Sequence, residues 1–302
     1  MTVPTLPDQP MHWDDGEPPR HAPAAPPDPW ATLRAHTPAR IALGRSGTSL
    51  PTAEVLRFAA AHAGARDAVH LPLDVEAMLA DLRAQGVEPL RAESRAGSRV
   101  EYLTRPDLGR QLAAVSRAAL EQVGGGGPGD CAQGDNLLRH PARSRRAHPD
   151  QGADLCIVIA DGLSAIAAQR HAVPLLVELG KAGIVASHVV VATQARVALG
   201  DEIGGCLGAA LVMMLLGERP GLTSPDSLGA YLTWAPRPGR LDSERNCVSN
   251  IRPEGLPPAA AAGRLAWLVR EAQRRRVTGI ALKDDSEVPA LDASGAATLP
   301  PT

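Results

Sequence analysis

The chain has 302 residues, 44% of them apolar and 2% aromatic, with a formal net charge of −2. That length allows one large or two modest domains around a core of Leu, Val, Ile and Ala, and the near-neutral charge gives no global attraction to nucleic acid or membrane. Four scattered cysteines (Cys131, Cys156, Cys206, Cys247) without a C-x-x-C pair argue against a zinc site and a disulfide framework; with no signal-like N-terminus and no apolar run of about 18 residues, they predict a cytoplasmic protein.

Residues 1–27 hold many prolines and almost no apolar periodicity, which predicts a disordered tail. Order is expected from Asp28-Pro29-Trp30, where Asp28 can cap a helix that takes Pro29 in its first turn. The region 28–123 reads as mainly helical, with helices over Thr52–Ala63, Asp74–Gln85 and Asp107–Gln122, the last capped by Asp107. Arg45-Ser46-Gly47-Thr48 reads as a structural turn, because the spacing of a phosphate-binding loop is missing. Residues 124–152 form a glycine- and arginine-rich insert. Its arginines are nearly offset by local acids and no aromatics are interleaved, so a solvated loop is expected rather than a nucleic-acid patch.

The region 153–284 changes character. Leu155–Ala160 is a continuous apolar run, as in a buried parallel strand. A helix over Ser164–Gly180 is expected to kink or break at Pro174. Then come a strand over Ile184–Thr193, a helix over Asp201–Leu207, strands over Ala209–Leu216 and Tyr231–Trp234, a helix over Pro257–Arg274 and a last strand over Val277–Leu282. Residues 285–302 read as a frayed tail. The alternation predicts an α/β fold: a doubly wound, mostly parallel sheet of Rossmann or flavodoxin type, with a helical N-terminal region.

In such sheets ligands bind at the carboxyl ends of the strands. Three breaks are candidates there: Arg196-Val197, the loop Gly217-Glu218-Arg219-Pro220-Gly221, and Arg245–Asn250 read as a turn. Arg196 can hold a phosphate or a partner's carboxylate, or simply be a surface arginine beside a core valine, Val197. Glu218 can accept hydrogen bonds from a ligand, or pair with Arg219 or another loop arginine. Cys247 as a nucleophile needs a base, and no histidine lies beyond His188, so packing against a ligand or plain burial are its readings. Asp161 or Ser164 is expected to cap the following helix. The dinucleotide fingerprint is absent at that turn, as is the Asp-x-His-x-x-Gly signature of base-off cobalamin domains.

These motifs also carry a resemblance. Asp28-Pro29-Trp30, Thr37-Pro38-Ala39-Arg40-Ile41, Leu43-Gly44-Arg45-Ser46-Gly47, Tyr102-Leu103-Thr104-Arg105-Pro106-Asp107, Asp161-Gly162-Leu163-Ser164, Gly217-Glu218-Arg219-Pro220-Gly221 and Cys247-Val248-Ser249-Asn250-Ile251-Arg252, in that order, resemble the small subunit of ethanolamine ammonia-lyase over about Trp30 to Leu282. The resemblance implies an adenosylcobalamin-dependent carbon–nitrogen lyase that converts ethanolamine to acetaldehyde and ammonia by a radical mechanism. It implies that a large (β/α)₈-barrel subunit holds the substrate and the catalytic groups. The small subunit then covers the cobalamin at the interface, through residues matching Val197, Glu218 and Cys247, and provides no catalytic residue or metal ligand. The cobalt would keep its own nucleotide base, and a bacterial microcompartment is one address within the cytoplasm. The readings kept beside this one are a stand-alone nucleotide- or flavin-binding α/β module and a non-catalytic assembly protein.

Overall fold

The computed structural model describes residues 30–37, 39–125 and 154–286. The expectations for the N-terminal tail, for Asp28 and Pro29, for nearly all of the insert and for the C-terminal tail lie outside these residues. The chain divides into two compact units, 1–51 and 52–302. In the first, α1 (Ala31–Ala35) is followed by a tight turn in which the Ser46 and Ser49 backbones hydrogen-bond each other around Gly47, whose φ of 61° is in the left-handed region. The expected structural turn at Arg45–Thr48 is therefore present.

The second unit is an α/β layer structure around a six-stranded sheet of order β1-β3-β2-β4-β5-β6. Its strands are β1 (Leu90–Glu93), β2 (Leu155–Ala160), β3 (His188–Thr193), β4 (Leu211–Gly217), β5 (Leu228–Trp234) and β6 (Arg245–Ile251). Its helices are α2 (Thr52–His70), α3 (Val75–Ala84), α4 (Arg99–Thr104), α5 (Ala114–Gly124), α6 (Ala165–Lys181), α7 (Leu199–Leu207) and α8 (Pro258–Arg275). Strands β2 and β4 are buried along their whole length, and the two-residue period divides their side chains between two cores. Ile157, Ile159, Met213 and Leu215 meet α3, α6 and α8 on one face. Cys156, Val158, Val212 and Met214 meet α5 and α7 on the other. Helices thus cover both faces, which is why the central strands read as unbroken apolar runs.

The α/β class is as expected, but the sheet is mixed. β1, β3, β2 and β4 are parallel, whereas β4–β5 and β5–β6 are antiparallel. The reason is local: the connections 218–227 and 235–244 contain no α-helix, and a parallel return needs a crossover of about a dozen residues or more, usually helical.

Several elements differ from expectation. Arg245–Asn250 is strand rather than turn, held in the sheet by β5. Val277–Leu282 is not a strand; Gly279, at φ 81°, sits against Ser243 and Glu244, and the chain makes a 3₁₀ turn at Gly279–Ala281. The helix expected over Asp107–Gln122 is split. Gln111 and Ala113 hydrogen-bond to Arg95 and Glu93 beyond the end of β1 (2.8 and 2.9 Å), so only a 3₁₀ turn (Leu108–Arg110) precedes α5. Asp107 pairs with Arg105 instead of capping. Pro174 lies inside α6 without ending it, and Ser164 is that helix's cap, accepting from the Ala167 amide at 3.3 Å. No helix among the described residues is long and apolar enough to cross a membrane.

Candidate functional site

The site begins where the connections of two neighbouring parallel strands diverge. From β2 the chain leaves through α6 toward β3, while from β4 it leaves toward β5 on the opposite side. Their carboxyl ends therefore bound a crevice at a topological switch point. Backbone packs directly on backbone there. The Leu163 amide donates to the Gly217 carbonyl at 2.9 Å, and a Cβ on Gly217 would overlap the Ser164 carbonyl and lie 2.5 Å from that of Asp161.

Asp161, buried at the end of β2, accepts from the amides of Gly162 (2.9 Å), Gln194 (2.9 Å) and Ala195 (3.1 Å) and from Arg99 Nη1 (3.2 Å). It ties the ends of β2 and β3 together rather than capping α6. Burial pushes its carboxyl above the ordinary range, and these donors pull against that shift. Beside it, the buried Tyr102 hydroxyl donates to the Ala195 carbonyl at 3.0 Å. The guanidiniums of Arg196 and Arg99 lie 4.3 and 4.8 Å from the Tyr102 ring centre. The turn that presents Arg196 and Val197 is thus fixed by buried polar contacts.

The crevice widens into a cleft of about 920 Å³ lined by Leu163, Arg196, Val197, Glu218, Tyr231 and Arg240, among others. Two of the three predicted site residues, Val197 and Glu218, meet in it. The Glu218 carboxylate accepts from the Ser227 hydroxyl and from the Asn250 amide (3.2 Å), bridging the β4–β5 hairpin to the end of β6. Among the described residues it makes no ion pair, so the alternative of a brace to Arg219 does not hold. Its other oxygen lies over Gly229, where a Cβ would come within 2.9 Å.

Cys247 is not in the cleft wall itself. It sits on β6 as the cross-strand neighbour of Tyr231 of β5, which does line the cleft. The residue is exposed. Burial and the nearby Glu218 charge push the thiol above its ordinary range, while the neighbouring Tyr231 side chain pulls it down. Tyr231 is raised as well, by burial first and then by Cys247 and Glu218. Cys247 should therefore alkylate slowly at neutral pH, with a midpoint above that of a free thiol; site-resolved mass spectrometry across a pH series would read this, and a midpoint below the free-thiol value would refute it.

The floor is braced by a pair that sequence reasoning missed. Arg245 donates to both carboxylate oxygens of Asp201 (2.7 and 2.6 Å), to Thr233 Oγ1 (2.9 Å) and to the Arg240 carbonyl (2.9 Å), with both charged side chains almost fully enclosed. Tyr231 was missed too. Its only sequence signal was its place in a short strand, one of two tyrosines in the chain.

Fold and cleft define an α/β protein whose main cleft lies at the switch point of a mixed sheet. Comparison with known proteins specifies it further. The ethanolamine ammonia-lyase light chain family (EutC) matches residues 27–283. Proteins called "Ethanolamine ammonia-lyase small subunit" from Ralstonia nicotianae and Bradyrhizobium diazoefficiens are 50% and 52% identical, covering 88% and 87% of this chain and 92% and 94% of their own. One of the same description from Pseudomonas syringae pv. tomato is 49% identical over 91% of this chain and 89% of its own. The chain belongs to the ethanolamine ammonia-lyase light-chain family.

Proposed function

We propose that this chain is the small subunit of an adenosylcobalamin-dependent ethanolamine ammonia-lyase and forms one wall of the cobalamin site, facing a larger catalytic subunit. The observation that carries the reading is the convergence of Val197 and Glu218 in one switch-point cleft, with Cys247 the cross-strand neighbour of the cleft-lining Tyr231. The parallel strands β3 and β4 lead to Val197 and Glu218, and Cys247 comes from the antiparallel strand β6.

The donor set suits the group. A corrin is rimmed by carboxamides, and Glu218 keeps one carboxylate oxygen outside its hydrogen bonds to Ser227 and Asn250. No histidine is among the described residues that line the cleft. When bound, the cofactor supplies the radical chemistry; Val197 offers packing surface, Glu218 accepts from an amide, Cys247 backs the wall from beside Tyr231, and the wall excludes water. The region 153–284 would hold the cofactor and the region 28–123 would meet the large subunit. The exposed Val55, Leu56 and Phe58 of α2 (50%, 64% and 48%) support the second assignment. Ethanolamine itself would be held by the larger subunit, so the isolated chain should show no lyase activity with cobalamin alone.

Glu218→Gln is expected to weaken cobalamin binding to the assembled complex about 10- to 100-fold, the equivalent of one charge-assisted hydrogen bond, while ethanolamine recognition stays nearly intact. Ultraviolet–visible titration reads this directly. Unchanged saturation would reduce Glu218 to a brace between the β4–β5 hairpin and β6. Cys247→Ala should cost about 1 kcal/mol of cofactor binding through lost packing, with turnover restored at higher cobalamin. Complete loss of turnover at saturating cofactor would give the thiol a chemical role.

A further inference from the structure

The charges around the cleft do not balance. Arg240 and Arg245, in its wall, are engaged by Glu244, Asp242 and Asp201, and the wall's Glu202 is engaged by Arg117. Arg110, Arg196 and Arg219 line the same cleft and make no ion pair among the described residues, against the single unpaired carboxylate of Glu218. Arg196 is the best organised of the three. Its backbone amide donates to the Gly109 carbonyl at 2.8 Å, its Nη2 to the Tyr102 carbonyl at 3.2 Å, and its guanidinium lies over the Tyr102 ring. Its Nε is enclosed without a hydrogen-bond partner. Gly109 makes this approach feasible: a Cβ there would stand 3.0 Å from Arg196 Cγ, so the turn that carries Arg110 can close down beside Arg196.

A planar guanidinium fixed by stacking, with donors left over, suits an anion of several oxygens, and the two further arginines extend that preference. We propose that Arg196, assisted by Arg110 and Arg219, forms a subsite for the phosphate ester of the nucleotide tail carried by the bound ligand. This rests on the cobalamin reading and adds to it which part of the ligand the arginine edge recognises. Arg196 is half-buried within the cleft, where an entering ligand reaches it more readily than a side chain of a facing protein surface.

The test uses the complex with the large subunit and two probes that differ only in the phosphate, cobinamide and cobinamide phosphate, titrated spectrophotometrically. The wild-type complex should prefer the phosphate form by about tenfold or more. Arg196→Gln should abolish that preference and leave cobinamide binding unchanged, Arg196→Lys should keep part of it, and the exposed Arg219→Gln should narrow it. No preference in the wild type, or an equal loss for both probes in Arg196→Gln, would overturn the phosphate subsite while leaving the cobalamin reading in place. A variant that assembles poorly with the large subunit, while the complex it does form keeps the preference, would assign Arg196 to a partner carboxylate and overturn the proposal too. Failure of both probes to bind the wild-type complex would overturn the cobalamin reading and this subsite with it.

Discussion

Replacing Arg245 with alanine is expected to destabilise the fold by about 3–5 kcal/mol, because it strands the carboxylate of Asp201 in the sheet floor without its partner. Arg245 also holds Thr233 and the Arg240 carbonyl, so the β5–β6 hairpin should loosen with it. The loss should depend on pH. Burial already raises the Asp201 carboxyl, and Arg245 is the chief group pulling it down. Without Arg245 the carboxyl rises further and escapes part of the penalty by binding a proton. A raised native pKa means stability present at low pH and lost as pH rises through that value. The deficit should therefore be smaller at mildly acid pH than at mildly alkaline pH. Denaturant unfolding at the two ends of that range measures it. A uniform loss below about 1 kcal/mol, as for an exposed pair, would refute the buried-brace account.

Gly217→Ala is expected to act at the other side of the same cleft. The three nearest atoms that its methyl group would strike are backbone of the β2–α6 turn, which cannot swing aside as a side chain could. Overpacking of this kind costs about 1–3 kcal/mol and occasionally more. The larger consequence is functional: β4 can make room only by moving Glu218, so cofactor affinity should fall even in protein that remains folded. Gly64→Ala is the control, since no heavy atom lies within 4 Å of its Cβ position and the site is an exposed helix interior. That change should be neutral or stabilise by up to about 1 kcal/mol. Equal melting temperatures and equal cobalamin affinity for Gly217→Ala and wild type would show that the backbone contact at the switch point is dispensable.

The comparison of sequence and structure follows the range of each interaction. β2 and β4 were legible because burial on both faces demands unbroken apolar runs, Leu155–Ala160 and Leu211–Leu216. α6 was legible because Ser164 caps it within three residues, and α8 because Pro257 and a long apolar-periodic stretch define it. β1 was not read, since Leu90–Glu93 is four residues long and becomes a strand only by pairing with β3. β6 was read as a turn for a related reason: Arg245-Asn246-Cys247 has no apolar alternation of its own, and β5 supplies its order.

Within the site, position was legible where role was not. The strand-end rule placed Val197 and Glu218 at the cleft, and both line it. It could not say that Glu218 would be held by Ser227 and Asn250 rather than by Arg219, nor that Tyr231 would be the cross-strand neighbour of Cys247. By itself, then, the sequence determined the α/β class, the central strands, the helices α3, α6 and α8 and the family, all of which rest on local periodicity, local caps and ordered motifs. The tertiary structure alone decided the antiparallel half of the sheet, the Asp201–Arg245 brace and the arginine excess of the cleft. Each of those depends on which distant segments become neighbours, and on which charges are left over once neighbouring partners have paired.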